Sequence, residues 1–345
     1  ADKSWLDSDP ARIKRKEECL KVIRAACDAN AAMSQTDLPL EGRIQGKVRD
    51  IYTLPNDRLL LCATDRQSAF DRILAAIPFK GQVLNLASAW WFEQTKKIVN
   101  NAVISVSDPN FVVVKKVEVF PVEFVVRGYI TGSTDTSLWT HYNKGVRNYC
   151  GIDFPDGLKK NQKLERNVVT PTTKADYGDA PMAPAELVSK SYISQADYDF
   201  CAAKALEVFA LGQAEAAKRG LILVDTKYEF GKLPSGEILL IDEVHTPDSS
   251  RFWAAATYEE RMAAGLEPEN FDKEFLRLWF KANCDPYKDE KLPDAPRELV
   301  EELSWRYICI YEMLTGEQFA FPPLDPKPHD RIVVNARAAL DEANK

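Results

Sequence analysis

The apolar positions of the chain keep a helical period in some stretches and alternate in others. From Pro10 to Ala32, Ile13, Cys19, Leu20, Ile23 and Cys27 share one face with Lys14, Arg15 and Lys21 opposite, which predicts an amphipathic helix packed outside the catalytic core. From Arg43 the period changes to two, Ile44, Gly46, Val48 and Asp50 alternating with Arg43, Gln45, Lys47 and Arg49. The turn residues Pro55, Asn56 and Asp57 then precede Leu59, Leu60 and Leu61, so a hairpin is predicted. A helix over Val83 to Asn100 follows, then strands at Val112 to Val114 and Glu123 to Tyr129. Pro155 to Pro184 shows little periodicity and reads as a long surface excursion, a kind of loop that is often functional.

Helical spacing resumes from Gln195 to Arg219 and stops at Gly220. Leu221 to Phe230 and Glu237 to Val244 read as strands joined through Pro234, Ser235 and Gly236, followed by helices at Asp272 to Asn283 and Arg297 to Gly316. Beyond Phe321 the prolines predict a strap with a short amphipathic stretch from Ile332 to Leu340. Segregated strands and helices place the chain in the α+β class. At 345 residues it can form two lobes sharing a cleft. The expected division is a helical extension over 1–42, a strand-rich lobe over 43–121, a larger α+β lobe over 122–320 and a C-terminal strap over 321–345.

Composition excludes more than it assigns. With 45% hydrophobic and 28% charged residues the balance is that of an ordinary globular protein, and a net charge of -7 argues against nucleic acid as a partner. No run approaches the roughly 18 to 20 apolar residues of a membrane helix, and the start is polar, so a cytoplasmic protein is expected. The seven cysteines lack CxxC spacing and suggest neither a zinc site nor a disulfide framework. A homo-oligomer is compatible with all of this.

Three constellations could carry chemistry. In the strand Val224 to Phe230, alternation puts Asp225, Lys227 and Glu229 on one face, and a turn centred between Ser235 and Gly236 would set Asp242 opposite Glu229. Two converging carboxylates suit Mg²⁺, which takes one or two carboxylates plus substrate phosphates; the plain alternative is a solvated face neutralised by Lys227. The following segment adds Ser249 and Ser250 as hydroxyl donors and Arg251 as an anion clamp, while His245 is either a base or a structural residue. In the second, Arg127 ends an apolar strand beside Gly128, Gly132 and Ser133, which suits an anionic ligand or an internal ion pair. In the third, Lys47 and Arg49 lie on one face of a hairpin next to Gly46 and could hold phosphates, or could simply face solvent. Walker and Rossmann signatures are missing, so a nucleotide would be held by strands. The polar runs around Asp65, Arg66, Lys80, Asn85 and Ser88 could bind ligand, or cap helices through Ser68 or Asp71.

Taken in order, GKVRDIY, ATDRQSAFD, KGQVLNLAS, VEFVVRGYITGS, TPTTKAD, LVDTKYEFG and IDEVHTPDSSRFW closely resemble the SAICAR synthetase family, the phosphoribosylaminoimidazole-succinocarboxamide synthases, over roughly residues 43–320. The resemblance implies an ATP-grasp-like two-lobed fold and an ATP-dependent ligation of CAIR with L-aspartate to SAICAR, with ADP and phosphate as products, through a carboxyl phosphate. It also implies that Lys47 and Arg49 hold ATP phosphates, that Glu229 and Asp242 hold the Mg-nucleotide, and that Lys174 closes over it. By the same resemblance, Arg127, Ser133 and Arg251 grip CAIR, and Asp225 and Lys227 sit by its imidazole. Asp65, Arg66, Lys80, Gly81, Asn85 and Ser88 are further binding positions, with aspartate as one candidate ligand. A small-molecule kinase or a non-catalytic nucleotide sensor of related fold would share many of these features.

Overall fold

The computed structural model describes residues 4–70, 72–174, 180–271 and 274–345. A short 3-10 turn, Trp5–Asp7, leads into α1 (Pro10–Asp28), which starts at Pro10 behind an Asp9 cap whose carboxylate accepts the Ala11 N–H. The first sheet comes from β1 (Glu41–Gln45), β2 (Arg49–Leu54) and β3 (Arg58–Ala63), joined after an interlude by β6 (Val103–Asp108) and β7 (Phe111–Lys115) in the order β1-β2-β3-β7-β6. The interlude is a hairpin of β4 (Arg66–Ala69) and β5 (Arg72–Ala76) followed by helix α2 (Lys80–Thr95).

The second sheet begins with β8 (Glu118–Val119) and β9 (Val122–Tyr129). Then come α3 (Leu138–Asn143), the small ribbon β10 (Asn148–Tyr149) and β11 (Ile152–Asp153), and the strands β12 (Lys163–Val169) and β13 (Thr172–Thr173). After α4 (Pro184–Ser189) and α5 (Gln195–Lys218), the chain runs through β14 (Leu221–Lys232), β15 (Ile238–Ile241) and β16 (Ser250–Ala254). The path β12-β9-β14-β15 forms the spine, with β13 on β9 and both β16 and β8 on β14. Helices α6 (Ala255–Ala263), α7 (Glu274–Asn283), α8 (Arg297–Thr315) and α9 (Pro328–Ala343) complete the described chain.

Helix α5 opens on Ser194, whose side chain accepts the Asp197 N–H, and ends before Gly220 at φ +72°, as its sequence predicts. It packs on β14, while α1 and α2 pack on α8; the main core unites these helices with one face of the second sheet. The inner face of the first sheet, including Leu61, Val112 and Val114, meets Leu239 and Ile241 of β15. Leu240 N–H bonds Asn100 O at 2.9 Å, tying the sheets beside the cleft.

Several expectations change. The alternation from Arg43 is not one strand: β1 and β2 pair antiparallel, Gln45 opposite Asp50, and residues 46–48 form the turn between them. The hairpin about residues 55–57 is present, Leu54 pairing Arg58. Helix α1 packs on α8, with Cys19, Ile23 and Ala26 buried in the main hydrophobic core. The excursion over 155–184 contains β12, whose alternation is broken by a bulge between Lys163 and Val168, so its sequence lacks a clean period. The segment before Arg251 is not all loop, because Ser250 and Arg251 begin β16. Ser68 caps no helix and lies in β4; Asp71 and Asp272 lie outside the described residues.

The expected strap is the largest revision. Helix α9 lays Ile332, Ala336, Ala339 and Ala343 on Tyr52, Leu60, Cys62, Phe111 and Val113, forming the outer layer of the first sheet. Ile332 is fully buried there, and its truncation to alanine would cost about 2 to 5 kcal/mol. Arg331 fixes the helix by donating twice, at 3.0 Å each, to the buried Asp108, which also accepts from Asn335 at 2.7 Å.

Candidate active site

Strand β14 organises the site because both its flanks carry partners. Asp225 stands opposite Arg127 of β9 on one side and opposite Arg251 of β16 on the other. Cross-strand partners on one face lie about 5 Å apart, so the three charges meet. Arg251 Nη1 donates to Asp225 Oδ2 at 2.7 Å, and Arg127 Nη1 lies 3.8 Å from the same oxygen while its Nε donates to Thr170 at 2.8 Å. These residues line a cavity of about 190 Å³ with Lys227, Ser249, Ser250 and Asp248. Four cationic side chains, Arg127, Lys227, Arg251 and Arg277, border it against two aspartates, which suits a multiply anionic ligand.

Two residues along β14, on the same face, the chemistry changes. Glu229 Oε2 accepts from Lys174 Nζ at 2.5 Å, and Lys227 Nζ bonds Glu123 Oε1 at 2.5 Å with Glu229 Oε1 3.9 Å away. Asp242 is paired with Arg49, which also donates to the Asp242 carbonyl at 3.0 Å. Burial and then the neighbouring Asp242 push the Glu229 carboxyl up to about 7, against the pull of Lys174 and Lys227. Burial would raise Asp242 too, but Arg49 foremost holds it below the usual carboxylate range. Burial would release the Lys227 proton, yet Glu123 and Glu229 outweigh it and hold the ammonium above its ordinary range. The result is a pair of acids kept close by surrounding cations.

The expected register is corrected by one residue. Glu229 faces Ile241, not Asp242, because the turn is centred on Ser235; Asp242 follows the strand in a left-handed conformation, φ +71°. That bend still brings it into Coulombic reach of Glu229. Among the described residues no group of three or more His, Cys, Asp or Glu side chains is set to hold a metal. Two carboxylates with cations around them are nevertheless a fitting donor set for Mg²⁺ completed by phosphate oxygens.

Other expected site residues have different surroundings. Arg66 is buried and consumed by protein acceptors: Asp50 Oδ1 at 2.6 Å, and the carbonyls of Ser34, Gly46 and Lys47. It therefore shapes the turn from which exposed Lys47 projects. Asp65 accepts the Met33 and Gly81 N–H groups and fixes the start of α2, and burial pushes it up to about 6. Lys80 is fully buried on Asp248. Asn85 donates to the carbonyls of Asp108 and Pro109, and Ser88 accepts the Val244 N–H. Both border a narrow slot that also includes Leu61, Arg49 and Asp242.

Ser133 is exposed and does not line the cavity; Thr134, Thr136 and Ser137 do. The hydroxyl-dense run from Ser133 to Ser137 was the available signal for them, whereas Arg277, isolated on α7, offered none. Gly132 has φ +108° and a Cβ there would lie 2.2 Å from Ser137 Oγ, so glycine is needed for the loop to fold back. Gly128 instead makes room for Gln213 of α5, 2.8 Å from where its Cβ would be. His245 is no base: it is fully buried, its Nε2 is paired with Tyr228, and burial lowers it to about 3. Lys174 directly follows β13; Ala175 and Asp176, also in its motif, lie outside the described residues.

The SAICAR synthetase family model matches residues 43–293. A phosphoribosylaminoimidazole-succinocarboxamide synthase from Arabidopsis thaliana, named chloroplastic, is 59% identical over 335 residues, covering 96% of this chain and 81% of its own length. One from Legionella pneumophila (strain Paris) is 58% identical over 308 residues, 89% of this chain and 98% of that protein. Among solved structures, SAICAR synthase from Saccharomyces cerevisiae complexed with SAICAR superposes with a TM-score of 0.73 at 32% identity, over 84% of this chain and 100% of that one. A type-2 SAICAR synthetase in complex with ADP gives 0.62 at 26% identity, over 81% and 100%.

Proposed function

The chain belongs to the SAICAR synthetase family, and from that premise we propose how its cleft divides the labour of the reaction. The protein is an enzyme that uses ATP to condense CAIR with L-aspartate into SAICAR, ADP and phosphate in purine biosynthesis. One observation supports the division most strongly: β14 carries Asp225 and Lys227 at the cation-rich cavity and Glu229 at the acid pair on the same face. Alternate residues of a strand are about 7 Å apart, so the strand sets phosphate-handling groups directly beside carboxylate-handling ones.

In this reading Arg127 and Arg251 hold anionic groups of CAIR, with Ser249, Ser250, Thr134 and Ser137 as hydroxyl partners and Arg277 as a further cation. Asp225 keeps both guanidinium groups in place. Lys47, Arg49 and Lys174 hold ATP phosphates, and Glu229 and Asp242 would hold Mg²⁺, which neutralises phosphate charge when bound. Lys227 faces the carboxylate of CAIR as its oxygen takes the γ-phosphoryl group and the bond to ADP breaks. The aspartate amine then attacks the acyl carbon, the amide C–N bond forms, and phosphate departs. The protein contributes mainly positioning and fixed charge, since phosphoryl transfer needs little covalent help.

Small molecules are the partners proposed, and nucleic acid is not among them. The compartment proposed is the cytoplasm; among the described residues no helix is long and apolar enough to cross a membrane, while the Arabidopsis relative is named chloroplastic. Fractionation of cells expressing the tagged protein decides between cytosol and organelle. The catalytic test is ADP release with CAIR, ATP and Mg²⁺, with and without L-aspartate, while SAICAR is followed by absorbance. Stoichiometric, aspartate-dependent ADP and SAICAR are expected. ADP released without aspartate alongside a stable phosphorylated product would mark a kinase and overturn the proposed ligation.

A further inference from the structure

Helix α8 lies beyond the segment that matches the family model, yet it reaches the substrate cavity through one side chain. Asp248, on the cavity wall, is held at both oxygens: Oδ1 accepts from Tyr307 of α8 at 2.6 Å and Oδ2 from Lys80 of α2 at 2.6 Å. Both donors are fully buried, and Lys80 also donates to the Arg66 carbonyl at 3.0 Å. A buried ammonium needs its counter-ion, so the Lys80 contact fixes where Asp248 sits. The Tyr307 hydroxyl, 3.3 Å from Gln67 Oε1, has one proton and gives it to the nearer, charged acceptor. That second bond stops the carboxylate from turning about the first.

We propose that Tyr307 is a positioning residue for CAIR, acting through Asp248 on the substrate-binding turn. The turn from Thr246 to Ser249 moves as one piece, because Ser249 N–H donates to Thr246 Oγ1 and Thr246 N–H to Ser249 Oγ, each at 3.2 Å. Ser249, Ser250 and Arg251 follow Asp248 directly along the cavity wall, so the angle of that carboxylate sets the height of the hydroxyls and guanidinium that meet the ligand. Small displacements of such groups are costly to a reaction that depends on alignment.

The inference rests on reading this cavity as the CAIR site. Its test is steady-state kinetics of the full chain carrying Tyr307→Phe, which keeps the ring and removes only the hydroxyl. The kcat/KM for CAIR should fall about tenfold, through a higher KM for CAIR, with the KM for ATP within about twofold. Tyr311→Phe, which removes a hydroxyl bonded to Glu317 on the same helix, should change none of these. A lower melting temperature with all three substrate KM values unchanged would make Tyr307 merely structural and overturn the proposal, as would a parallel rise in the KM for ATP. Arg251→Met separates the two levels of argument. If it too leaves the KM for CAIR unchanged, the cavity assignment fails; if it raises that KM while Tyr307→Phe does not, only the positioning role fails.

Discussion

At the scale of single residues, the informative contrast is between charges that face the cleft and charges that the fold consumes. Lys227 and Asp242 both sit among opposite charges, so losing either leaves its partners uncompensated at the proposed phosphate site. Lys227→Ala and Asp242→Asn should each lower turnover by about 10²- to 10³-fold with the far-UV spectrum and cooperative melting retained; near-normal rates in either would remove that residue from the site. His245 gives a pH prediction. Its proton is excluded in the folded protein, where burial holds it at about 3, but is taken up by the unfolded chain near 6.5. Its contribution to stability is therefore complete above about pH 6.5 and is lost as the pH falls toward 3. Denaturant midpoints at pH 7 and pH 5 should show a smaller acid loss in His245→Leu than in the parent. The alternating charges of β14 made Asp225, Lys227 and Glu229 legible in the sequence, because strand geometry alone puts them on one face. Arg66 and Lys80 were not separable from ligand-binding cations, since burial by distant segments leaves no local mark.

At the scale of elements, legibility followed the regularity of the period. Helices α5 and α8, with long apolar faces and terminal glycines, lie close to where their sequences predict them. Strand β12 was hidden by its bulge, and β16 by the hydroxyls and charges at its start. The one-residue error opposite Glu229 arose because the residues around Ser235 allow more than one turn centre, and only the packed hairpin selects between them. Helix α9 was visible as an amphipathic stretch, but nothing local says that the first sheet needs it. Its Arg331 pairs with an Asp108 whose side chain is wholly buried. Arg331→Ala should destabilise the protein by about 1 to 3 kcal/mol, the partial exposure of the arginine keeping it below the cost of a fully buried pair. A melting temperature unchanged within a degree would show that α9 is held by its apolar face alone.

At the scale of the whole molecule, the cleft is assembled from both sheets: Arg49 comes from the first, and Asp242 follows a strand of the second. On the proposed reading, a nucleotide bound there would grip both sheets at once. ADP with Mg²⁺ at a hundred times its Kd should add about 2.7 kcal/mol to stability, and Glu229→Gln should lose much of this gain at the same ligand concentration. Equal thermal shifts in the two proteins would exclude Glu229 from the nucleotide site. The outer layer of the first sheet has a different kind of consequence, one that falls during synthesis. The residues joined by Arg331 and Asp108 are 223 positions apart, so β2, β3 and β7 are made, and the entire second sheet after them, before α9 exists to cover them. The nascent first lobe must wait with an apolar face open, a long-range closure that slows folding and invites chaperone capture. Ribosome-stalled chains ending near residue 326 should be cleaved within β2 and β3 by a protease that spares chains extended past residue 345.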